Sequence, residues 1–338
     1  MGSRAVRHFA GGKLLTDVGR RIDQPRTPTF STLHPRNRHQ GLYDFPQLVQ
    51  TSPALGKFVS ANAHGDLSID FSDPNAVKEL NRALLADHYG IRVWDIPPHA
   101  LCPSVPGRAD YIHYLADLLA SANDGVVPKT KTLQMLDIGT GASCIYPLIG
   151  HSEFGWRFVA SDINATSLAS AQAILDANPL LAKQITLRLQ ASPTAIFNGV
   201  VRDDDWFDLA MCNPPFHASI AEAQEGARRK WNNLGRIVDE TPHLNFGGQE
   251  AELRCPGGEQ AFIQRMITES ALIPTRCFWF SSLVSKSASL PGIYAELKRV
   301  NVLAHRTIDM RQGQKKSRLV AWTFLTPVQQ TAWRKLRW

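Results

Sequence analysis

Four consecutive residues, Asn213-Pro214-Pro215-Phe216, follow a short apolar run and have the groups needed to hold a planar amine. Two prolines in succession fix the backbone φ angles and remove two N–H donors, so the carbonyl groups there are free to act as acceptors. Asn213 adds a side-chain carbonyl, and Phe216 adds an aromatic face on which a ring can stack. We interpret the tetrapeptide as a site for a planar ring that bears an exocyclic NH2 group.

A glycine-containing turn upstream has the composition of a nucleotide-binding turn. The apolar run 133–138 ends in Gly139-Thr140-Gly141, where glycines permit a tight turn and a close approach of backbone N–H groups to a ligand. The pattern is G-x-G alone, without the third glycine of the dinucleotide fingerprint. An ordinary strand-to-helix turn is therefore the alternative interpretation.

An acidic residue ends the next apolar run. Asp162 follows the run 156–161, and a carboxylate at this position can accept hydrogen bonds from both hydroxyls of a ribose. The 25 positions between Asp137 and Asp162 fit one β-α-β unit. The alternative is that Asp162 is the N-cap of the helix around Ser167 or a loop acid.

Seven apolar segments alternate with helical patterns after Thr132. Apolar runs without polar alternation are typical of parallel strands that are covered on both faces. The sequence therefore predicts an α/β fold with a doubly wound, mostly parallel, seven-stranded Rossmann-like sheet, which binds ligands at the carboxyl ends of its strands. The predicted strands are 133–138, 156–161, 185–189, 207–212, 278–284, 302–308 and 319–325, and predicted helices include 167–177, 259–271 and 293–300.

The chain divides into three predicted segments. Residues 1–33 contain basic residues and prolines with few periodic apolar positions, which predicts a flexible basic tail, with an organelle presequence as the alternative. Residues 34–124 predict a small helical cap with one helix from Asp73-Pro74 to Gly90 and a second after the Pro-rich stretch 96–106, which is expected to be irregular. Residues 125–338 contain the predicted sheet.

Composition excludes several classes of protein. With 338 residues, 43% of them hydrophobic and 20% charged, the chain can bury at least one large core. No apolar run approaches the ~18 residues of a membrane span, and the N-terminus lacks the apolar stretch of a secretory signal. The five cysteines form no C-x-x-C pair, which argues against a disulfide framework or a zinc ribbon. We expect a soluble, cytoplasmic protein without a metal, and nothing requires more than a monomer.

The charge is distributed unevenly along the chain. The net charge of +7 comes from +6 in residues 1–40, −7 in residues 41–298 and +8 in residues 299–338. Basic segments of this kind bind nucleic acid through its phosphates or are simply solvated surface.

The glycine turn, Asp162 and the tetrapeptide resemble class I S-adenosylmethionine-dependent methyltransferases that methylate amines. Further stretches narrow the resemblance to the ribosomal RNA large subunit methyltransferase F family, which implies N6-methylation of one adenine in 23S ribosomal RNA, free or in a large-subunit assembly intermediate. A eukaryotic relative of this family acts on adenines of structured RNA. The matching stretches are 34–39, 71–74, 106–113, 137–148, 212–216 and 257–259.

The resemblance also implies roles for individual residues toward S-adenosylmethionine. Arg108 reaches the methionine carboxylate, the turn at Gly139, Thr140 and Gly141 lines the methionine and ribose, Asp162 binds the ribose hydroxyls, and Thr194 lies near the adenine. Asn213 contacts the cofactor as well as the substrate. In the chemistry we expect, Asn213 and the Pro214 carbonyl accept the two hydrogens of the adenine amine, and no metal is required.

Basic side chains near both ends of the chain are candidates for RNA phosphate contacts, with solvated surface charge as the alternative. They are Arg36, Arg38, Lys315, Lys316 and Arg318. The stretch 217–256 is too long for an idle connection, and we expect it to close over the RNA.

Three other functions share parts of this pattern. Protein-glutamine N5 methylation uses the same tetrapeptide with a planar amide as substrate, although tyrosine usually stands where this chain has Phe216. Sequence features alone distinguish poorly between an enzyme for ribosomal RNA and an adenine-N6 methyltransferase that acts on DNA or another RNA. A non-catalytic RNA-binding factor for ribosome assembly is disfavoured by the intact Gly139, Asp162 and Asn213.

Deleting residues 1–33 tests whether the basic tail contacts RNA. The truncated protein should bind RNA more weakly, and the logarithm of its binding constant should depend less steeply on salt concentration because fewer counterions are released. Its affinity for S-adenosylmethionine should not change. An unchanged salt slope, measured by titration at several ionic strengths, would show that the tail is solvated surface only.

Overall fold

A computed structural model describes residues 33–129, 132–215, 255–312 and 315–338. The strands are β1 (Ser60–Ala61), β2 (Leu67–Ser68), β3 (Gln134–Ile138), β4 (Arg157–Asp162), β5 (Ile185–Leu189), β6 (Phe207–Cys212), β7 (Cys277–Val284), β8 (Ala304–Gln312) and β9 (Lys315–Thr323). The helices are α1 (Phe45–Thr51), α2 (Pro74–Tyr89), α3 (Val105–Ala120), α4 (Ile145–Phe154), α5 (Ala165–Asp176), α6 (Pro179–Ala182), α7 (Gly258–Ser270), α8 (Leu290–Arg299) and α9 (Pro327–Arg337). None of these helices is long and apolar enough to cross a membrane.

The main sheet has seven strands within the described part of the chain, in the order β5-β4-β3-β6-β7-β9-β8. The strands β3 to β7 are parallel, which confirms the predicted fold class. The chain runs from β3 outward to β5 and then returns to β6 on the other side of β3, so the topological switch point lies between β3 and β6. Ligands bind at this point in sheets of this kind.

The last two strands differ from the sequence prediction. We expected 302–308 and 319–325, whereas β8 and β9 span 304–312 and 315–323 and pair antiparallel with each other. Only two residues separate them, and parallel neighbours would need a crossover of about a dozen residues. Residues 319–322 of β9 are apolar and buried, whereas β8 is an edge strand whose residues 304–307 are exposed, and composition indicates neither this exposure nor the direction of the two strands.

The register of β3 aligns three strand ends. Ile138, the last residue of β3, pairs with Ser161 of β4 on one side and with Cys212 of β6 on the other. The residues that follow these three are Gly139, Asp162, which is the last residue of β4, and Asn213, and they therefore lie at the same level at the carboxyl ends of adjacent strands.

Both faces of the sheet are covered, as a doubly wound sheet requires. Alternate residues of β3 point to opposite sides, so Met135 belongs to one hydrophobic cluster and Leu136 to the other. The Met135 cluster also contains side chains of α2, α3, α4 and α5, and the Leu136 cluster contains side chains of α7 and α8. The helices before residue 124 thus share a continuous core with the sheet, while the proposed division of the chain at 33 and 124 stays a prediction.

The helices of the N-terminal segment follow from local sequence signals. The side chain of Asp73 accepts a hydrogen bond from the backbone N–H of Asn75, and α2 ends before Gly90 as predicted. The prediction that Pro106 lies in an irregular stretch is wrong, because α3 begins at Val105 and Pro106 occupies its first turn. Proline is tolerated there because the first N–H groups of a helix lack intrahelical partners. The short α1 was not predicted.

Residues 34–39 are fastened to α3. The carboxylate of Asp110 accepts hydrogen bonds from the backbone N–H of His34 at 2.6 Å and the side-chain amide of Asn37 at 3.0 Å. Asp117, two turns further along α3, contacts the His34 ring and the Arg36 guanidinium, each at 2.8 Å. The predicted tail ends where this segment begins, and its residues 1–32 lie outside the described residues.

The opposite end of the chain is fastened to the sheet by one buried carboxylate. Asp208, the second residue of β6, accepts hydrogen bonds from the indole N–H groups of Trp333 and Trp338 at 2.7 and 2.8 Å. It also pairs with Arg337 and accepts the backbone N–H of Gln134 at the start of β3. The C-terminal helix is therefore held at the amino ends of the strands, away from the aligned carboxyl ends.

Two buried histidines are held neutral in the N-terminal segment. Burial, with smaller contributions from His88 and Arg38, lowers the pKa of His39 to about 3. Burial and the neighbouring His34 and Arg36 lower the pKa of His113 to about 4. Both values lie below the ordinary histidine value of 6.5.

Acid should destabilise the fold through these histidines. Between about pH 6.5 and pH 4 the unfolded chain binds more protons than the folded one, so the free energy of unfolding falls by at most ~1.4 kcal/mol per pH unit for each histidine. Denaturant unfolding at pH 7 and pH 5 measures this loss, which should be smaller in a variant carrying His39→Gln and His113→Gln. An equal loss in both proteins would contradict the assignment.

Candidate active site

The glycine turn after β3 is built from left-handed backbone. Gly139 and Gly141 have φ angles of +75° and +67°, which residues with a side chain rarely adopt. The backbone N–H groups of Gly139 and Thr140 both donate to the carbonyl of Ser161 at 2.9 Å. The N–H of Gly141 donates to the carboxylate of Asp162 at 2.9 Å, so the turn and the acidic strand end form one unit.

Two side chains that the sequence did not single out support this turn. The indole N–H of Trp94, buried in the stretch between α2 and α3, donates to the carbonyl of Ser143 at 3.0 Å. The hydroxyl of Ser170 on α5 donates to the carbonyl of Ala142 at 3.1 Å. No short-range motif links these residues to the turn, so only the tertiary structure brings them there.

Asp162 is buried at the carboxyl end of β4, beside the glycine turn that follows β3. Its second oxygen accepts the backbone N–H of Asn164 at 2.8 Å. Burial raises the pKa of Asp162, and the hydrogen bonds from Asn164 and Gly141 oppose that effect. The N-cap of α5 is Asn164, whose side chain accepts from Thr166 and Ser167, so Asp162 does not have that alternative role.

The end of β6 presents an acceptor without a partner. Asn213 is half-buried, and its side-chain oxygen Oδ1 is buried and accepts no hydrogen bond from the described residues. Pro214 is buried and Pro215 is half-buried. Phe216, predicted to stack on a substrate ring, lies outside the described residues. Because buried polar atoms are normally paired, the oxygen of Asn213 indicates a place for an external donor.

Arg108 lies in the first turn of α3 and is half-buried. Its Nη1 donates to the hydroxyl of Tyr146 on α4 at 2.8 Å. Its Nε is buried and has no hydrogen-bond partner within the described part of the chain. The guanidinium is thus fixed on one side and has an unused donor for an anionic group.

Asp137, which in the sequence stands out only as part of the strand before the glycine turn, also belongs to the site. It is fully buried, and neither carboxylate oxygen makes a hydrogen bond of good geometry to residues 33–129, 132–215, 255–312 and 315–338, although the Thr140 hydroxyl lies close enough to affect it. Burial raises the pKa of Asp137 to about 7, the charge of Asp162 adds to this effect, and Thr140 and Arg108 oppose it. The sequence does indicate that Asp137 lies near the switch point, because it directly precedes Ile138, the last residue of the strand that leads into the glycine turn.

The polar atoms without hydrogen-bond partners in the described residues together fit the carboxylate and ammonium groups of an amino acid. Arg108 offers a donor to a carboxylate, and Asp137, which lies close enough to be affected by Arg108, offers acceptors to an ammonium group. Asp162 offers acceptor capacity beside the glycine turn for sugar hydroxyls. The site therefore fits a nucleoside that carries a zwitterionic amino acid, which is the chemistry of the S-adenosylmethionine that the resemblance implies.

Thr194 lies on an exposed loop after β5. Its hydroxyl is 3.1 Å from the hydroxyl of Ser192. The buried Gln190 organises this loop by accepting from the N–H of Ser192 and donating to the carbonyl of Asn198. The backbone N–H of Gln190 donates to the carbonyl of Asp162 at 2.8 Å, so the loop starts beside the acidic strand end.

The structure places the basic side chains predicted to bind RNA in two regions: Arg36 and Arg38 contact carboxylates of α3 and α4, and Arg318 pairs with Val284 at the carboxyl end of β7. Arg36 pairs with Asp117 as described above, and Arg38 makes a two-pronged contact with Glu153 on α4 at 2.7 and 3.2 Å. Arg318 of β9 lies 3.4 Å from Asp309 of β8. The side chains of Lys315 and Lys316 lie outside the described residues, as does the stretch 217–254.

Comparison with known proteins identifies relatives along most of the chain. A family model described as RNA methyltransferase matches residues 28–326. The ribosomal RNA large subunit methyltransferase F of Pseudomonas aeruginosa is 57% identical over 311 residues, covering 91% of this chain and 92% of that protein. The protein of the same name from Photobacterium profundum is 55% identical over 322 residues, covering 90% and 95%.

Solved structures share the architecture. The human Mettl16 catalytic domain in complex with MAT2A 3′UTR hairpin 6 has a TM-score of 0.71 at 30% identity, covering 87% of this chain and 98% of that one. The N-terminal domain of human METTL16 in complex with SAH has a TM-score of 0.68 at 29% identity, covering 87% and 99%. These solved structures thus share the Rossmann-like sheet that the sequence predicted, and in this chain the glycine turn lies at the switch point of that sheet. On the family match and on relatives more than half identical over nine-tenths of its length, this chain belongs to the RNA methyltransferase family that includes ribosomal RNA large subunit methyltransferase F.

Proposed function

We propose that this protein transfers a methyl group from S-adenosylmethionine to the N6 amine of an adenine in the RNA of the large ribosomal subunit. The observation that carries the proposal is the buried, unpartnered oxygen of Asn213 at the switch point, which no described residue satisfies, beside a cradle that fits an amino-acid nucleoside. Its relatives named ribosomal RNA large subunit methyltransferase F support the choice of RNA class.

The cofactor supplies a methyl group activated by its sulfonium charge. In our proposal Arg108 holds its carboxylate through the free Nε, and Asp137 accepts from its ammonium group. The turn at Gly139, Thr140 and Gly141 passes close to its ribose, and Asp162 accepts from the ribose hydroxyls. Thr194 borders the cofactor's adenine, because its loop begins beside Asp162.

The protein's contribution to the chemistry is position and charge. The lone pair of the adenine N6 is delocalised into the ring, so the amine is a weak nucleophile. Asn213 Oδ1 and the carbonyl of Pro214 accept hydrogen bonds from its two N–H groups, which favours a pyramidal nitrogen and stabilises the positive charge that develops on it until one proton is lost to water. Prolines at 214 and 215 keep these acceptors rigid, so little reorganisation is needed during transfer.

Delivery of the adenine requires a base that is not stacked in a duplex. We propose that Phe216 stacks on the base and that the basic ends of the chain contact the flanking phosphates, with Lys315, Lys316 and Arg318 on the β8–β9 side. Arg36 and Arg38 share their charge with carboxylates of α3 and α4, so they fasten the N-terminal segment as well as offering a positive surface. We also propose that the target is one adenine of 23S ribosomal RNA and that the protein is a cytoplasmic monomer.

Identification of the methylated product tests the function directly. The protein is incubated with methyl-labelled S-adenosylmethionine and, separately, with total RNA, large ribosomal subunits, DNA and bulk protein, and each product is digested and analysed. We expect label in N6-methyladenosine from ribosomal RNA. Label that appears only as methylglutamine in protein, or only in DNA, would overturn the proposal in favour of the corresponding enzyme class, and no label anywhere would favour an assembly factor.

Replacing Asn213 separates catalysis from cofactor binding. The Asn213→Ala variant should transfer methyl groups at least ~10-fold more slowly at saturating substrates, because one preorganised acceptor is lost. Its dissociation constant for S-adenosylmethionine should stay within about twofold, since the main binding groups remain. Single-turnover rates and calorimetry measure the two effects, and Asn123→Ala in the turn after α3 is the control. Wild-type turnover in Asn213→Ala would exclude the assigned role.

Replacing Arg108 should weaken cofactor binding, whereas replacing Asn213 should slow the transfer step. The Arg108→Ala variant loses a charged hydrogen bond, which contributes about 1.5–3 kcal/mol, so the dissociation constant for S-adenosylmethionine should rise at least ~10-fold. Arg157→Ala, at the amino end of β4 and thus on the opposite edge of the sheet, is the matched control. Equal affinities in the two variants would remove Arg108 from the site.

A further inference from the structure

We propose that the hydroxyl groups of Tyr111 and Tyr146 are positioning groups that connect the cofactor-binding Arg108 to the catalytic end of β6. This inference rests on the proposed function, and it assigns a role to two tyrosines inside the stretches of sequence that carry the family resemblance. Neither tyrosine reaches a reacting atom in the proposal. Each fixes a group that does.

Tyr111 connects α3 to the strand that carries Asn213. It lies three residues after Arg108 and therefore on the same face of α3. Tyr111 is fully buried, and its hydroxyl donates to the backbone carbonyl of Cys212 at 3.3 Å. Cys212 immediately precedes Asn213, so the peptide plane between them bears both this carbonyl and the backbone N–H of Asn213.

The hydroxyl of Tyr111 has two acceptors within reach. Its oxygen also lies 3.4 Å from the hydroxyl of Ser281 on β7. Ser281 has one hydroxyl hydrogen and directs it to the carbonyl of Ala210 at 2.9 Å. Its oxygen is thus left as an acceptor, and the single proton of Tyr111 is shared between Ser281 and Cys212. The three residues join α3, β6 and β7 at the end of the sheet.

Tyr146 supplies the second connection. It is the second residue of α4, directly after the glycine turn, and it is buried. Its hydroxyl accepts from Nη1 of Arg108 at 2.8 Å, which leaves Nε of Arg108 for the cofactor. The Tyr146 ring packs edge-on against the ring of Tyr111, with 5.4 Å between centroids and 81° between planes.

The arrangement predicts a division of labour between two chemically equal changes. Loss of the Tyr146 hydroxyl frees the Arg108 guanidinium and should weaken cofactor binding. Loss of the Tyr111 hydroxyl leaves Arg108 in place but loosens the peptide before Asn213, which should slow the transfer of a methyl group between correctly bound partners. Misplacement of a reacting group costs rate rather than affinity.

The experiment compares Tyr111→Phe, Tyr146→Phe and Tyr89→Phe in the full-length chain. Tyr89 is the control because it is also buried and its hydroxyl also has a partner, His39 at 2.8 Å, in the segment remote from β6. Calorimetry gives the dissociation constant for S-adenosylmethionine and the fraction of competent sites. Single-turnover methylation of ribosomal RNA at saturating cofactor and RNA gives the transfer rate per competent site.

For Tyr111→Phe we expect the transfer rate to fall at least ~5-fold, with the dissociation constant within about twofold of wild type. For Tyr146→Phe we expect the dissociation constant to rise at least ~5-fold, with the saturated rate within about twofold. Tyr89→Phe should change neither quantity. A merely structural role would lower the competent fraction and leave the rate per competent site and the dissociation constant unchanged.

Two results would overturn the inference. One is a rate per competent site in Tyr111→Phe equal to wild type, and the other is a Tyr146→Phe variant that binds the cofactor as tightly as wild type. Failure of the proposed function looks different, because the wild-type protein itself would then leave ribosomal RNA unmethylated. The calorimetric arm needs no RNA, so the Tyr146 result is independent of the substrate.

Discussion

The backbone ladder of β3 with its two neighbours is the constraint on which the site depends. Because Ile138 pairs with both Ser161 and Cys212, the glycine turn, Asp162 and Asn213 lie side by side at the carboxyl ends of their strands. Each of these alone is an ordinary strand end, and their alignment at the switch point makes a site. The two clusters of apolar side chains on the faces of the sheet hold the ladder in place and so keep that alignment.

The carboxyl and amino ends of the strands treat buried charge differently. At the amino ends Asp208 is satisfied by two indoles, a guanidinium and a backbone N–H, and it ties the C-terminal helix to β6. At the carboxyl ends Asp137 and Asn213 are buried with acceptor atoms unused by the described residues. An unpaired buried polar group costs roughly 1–3 kcal/mol. A protein can retain such an unpaired group where a bound ligand supplies the missing hydrogen bond.

Much of the fold and of the site could be predicted because it depends on local signals. The apolar runs located the strands to within a few residues, Asp73-Pro74 marked the start of α2, and Gly139, Asp162 and Asn213 were placed at the ends of their strands. What could not be predicted depends on long-range packing. Trp94 reaches the glycine turn, and Tyr111 reaches Cys212 across 101 positions, without any pattern in the sequence that joins them. The direction of β8 and β9 was missed because composition does not encode it.

The proposed reaction requires that the oxygen of Asn213, which no described residue satisfies, accepts a hydrogen bond from the target amine. A crystal structure of the protein with S-adenosylhomocysteine and an RNA that contains the target adenine measures this directly. We expect the adenine N6 to lie within hydrogen-bond distance, about 2.7–3.2 Å, of Asn213 Oδ1 and the Pro214 carbonyl. An ordered adenine elsewhere, or an Asn213 side chain bonded to other protein groups while the adenine is bound, would contradict it.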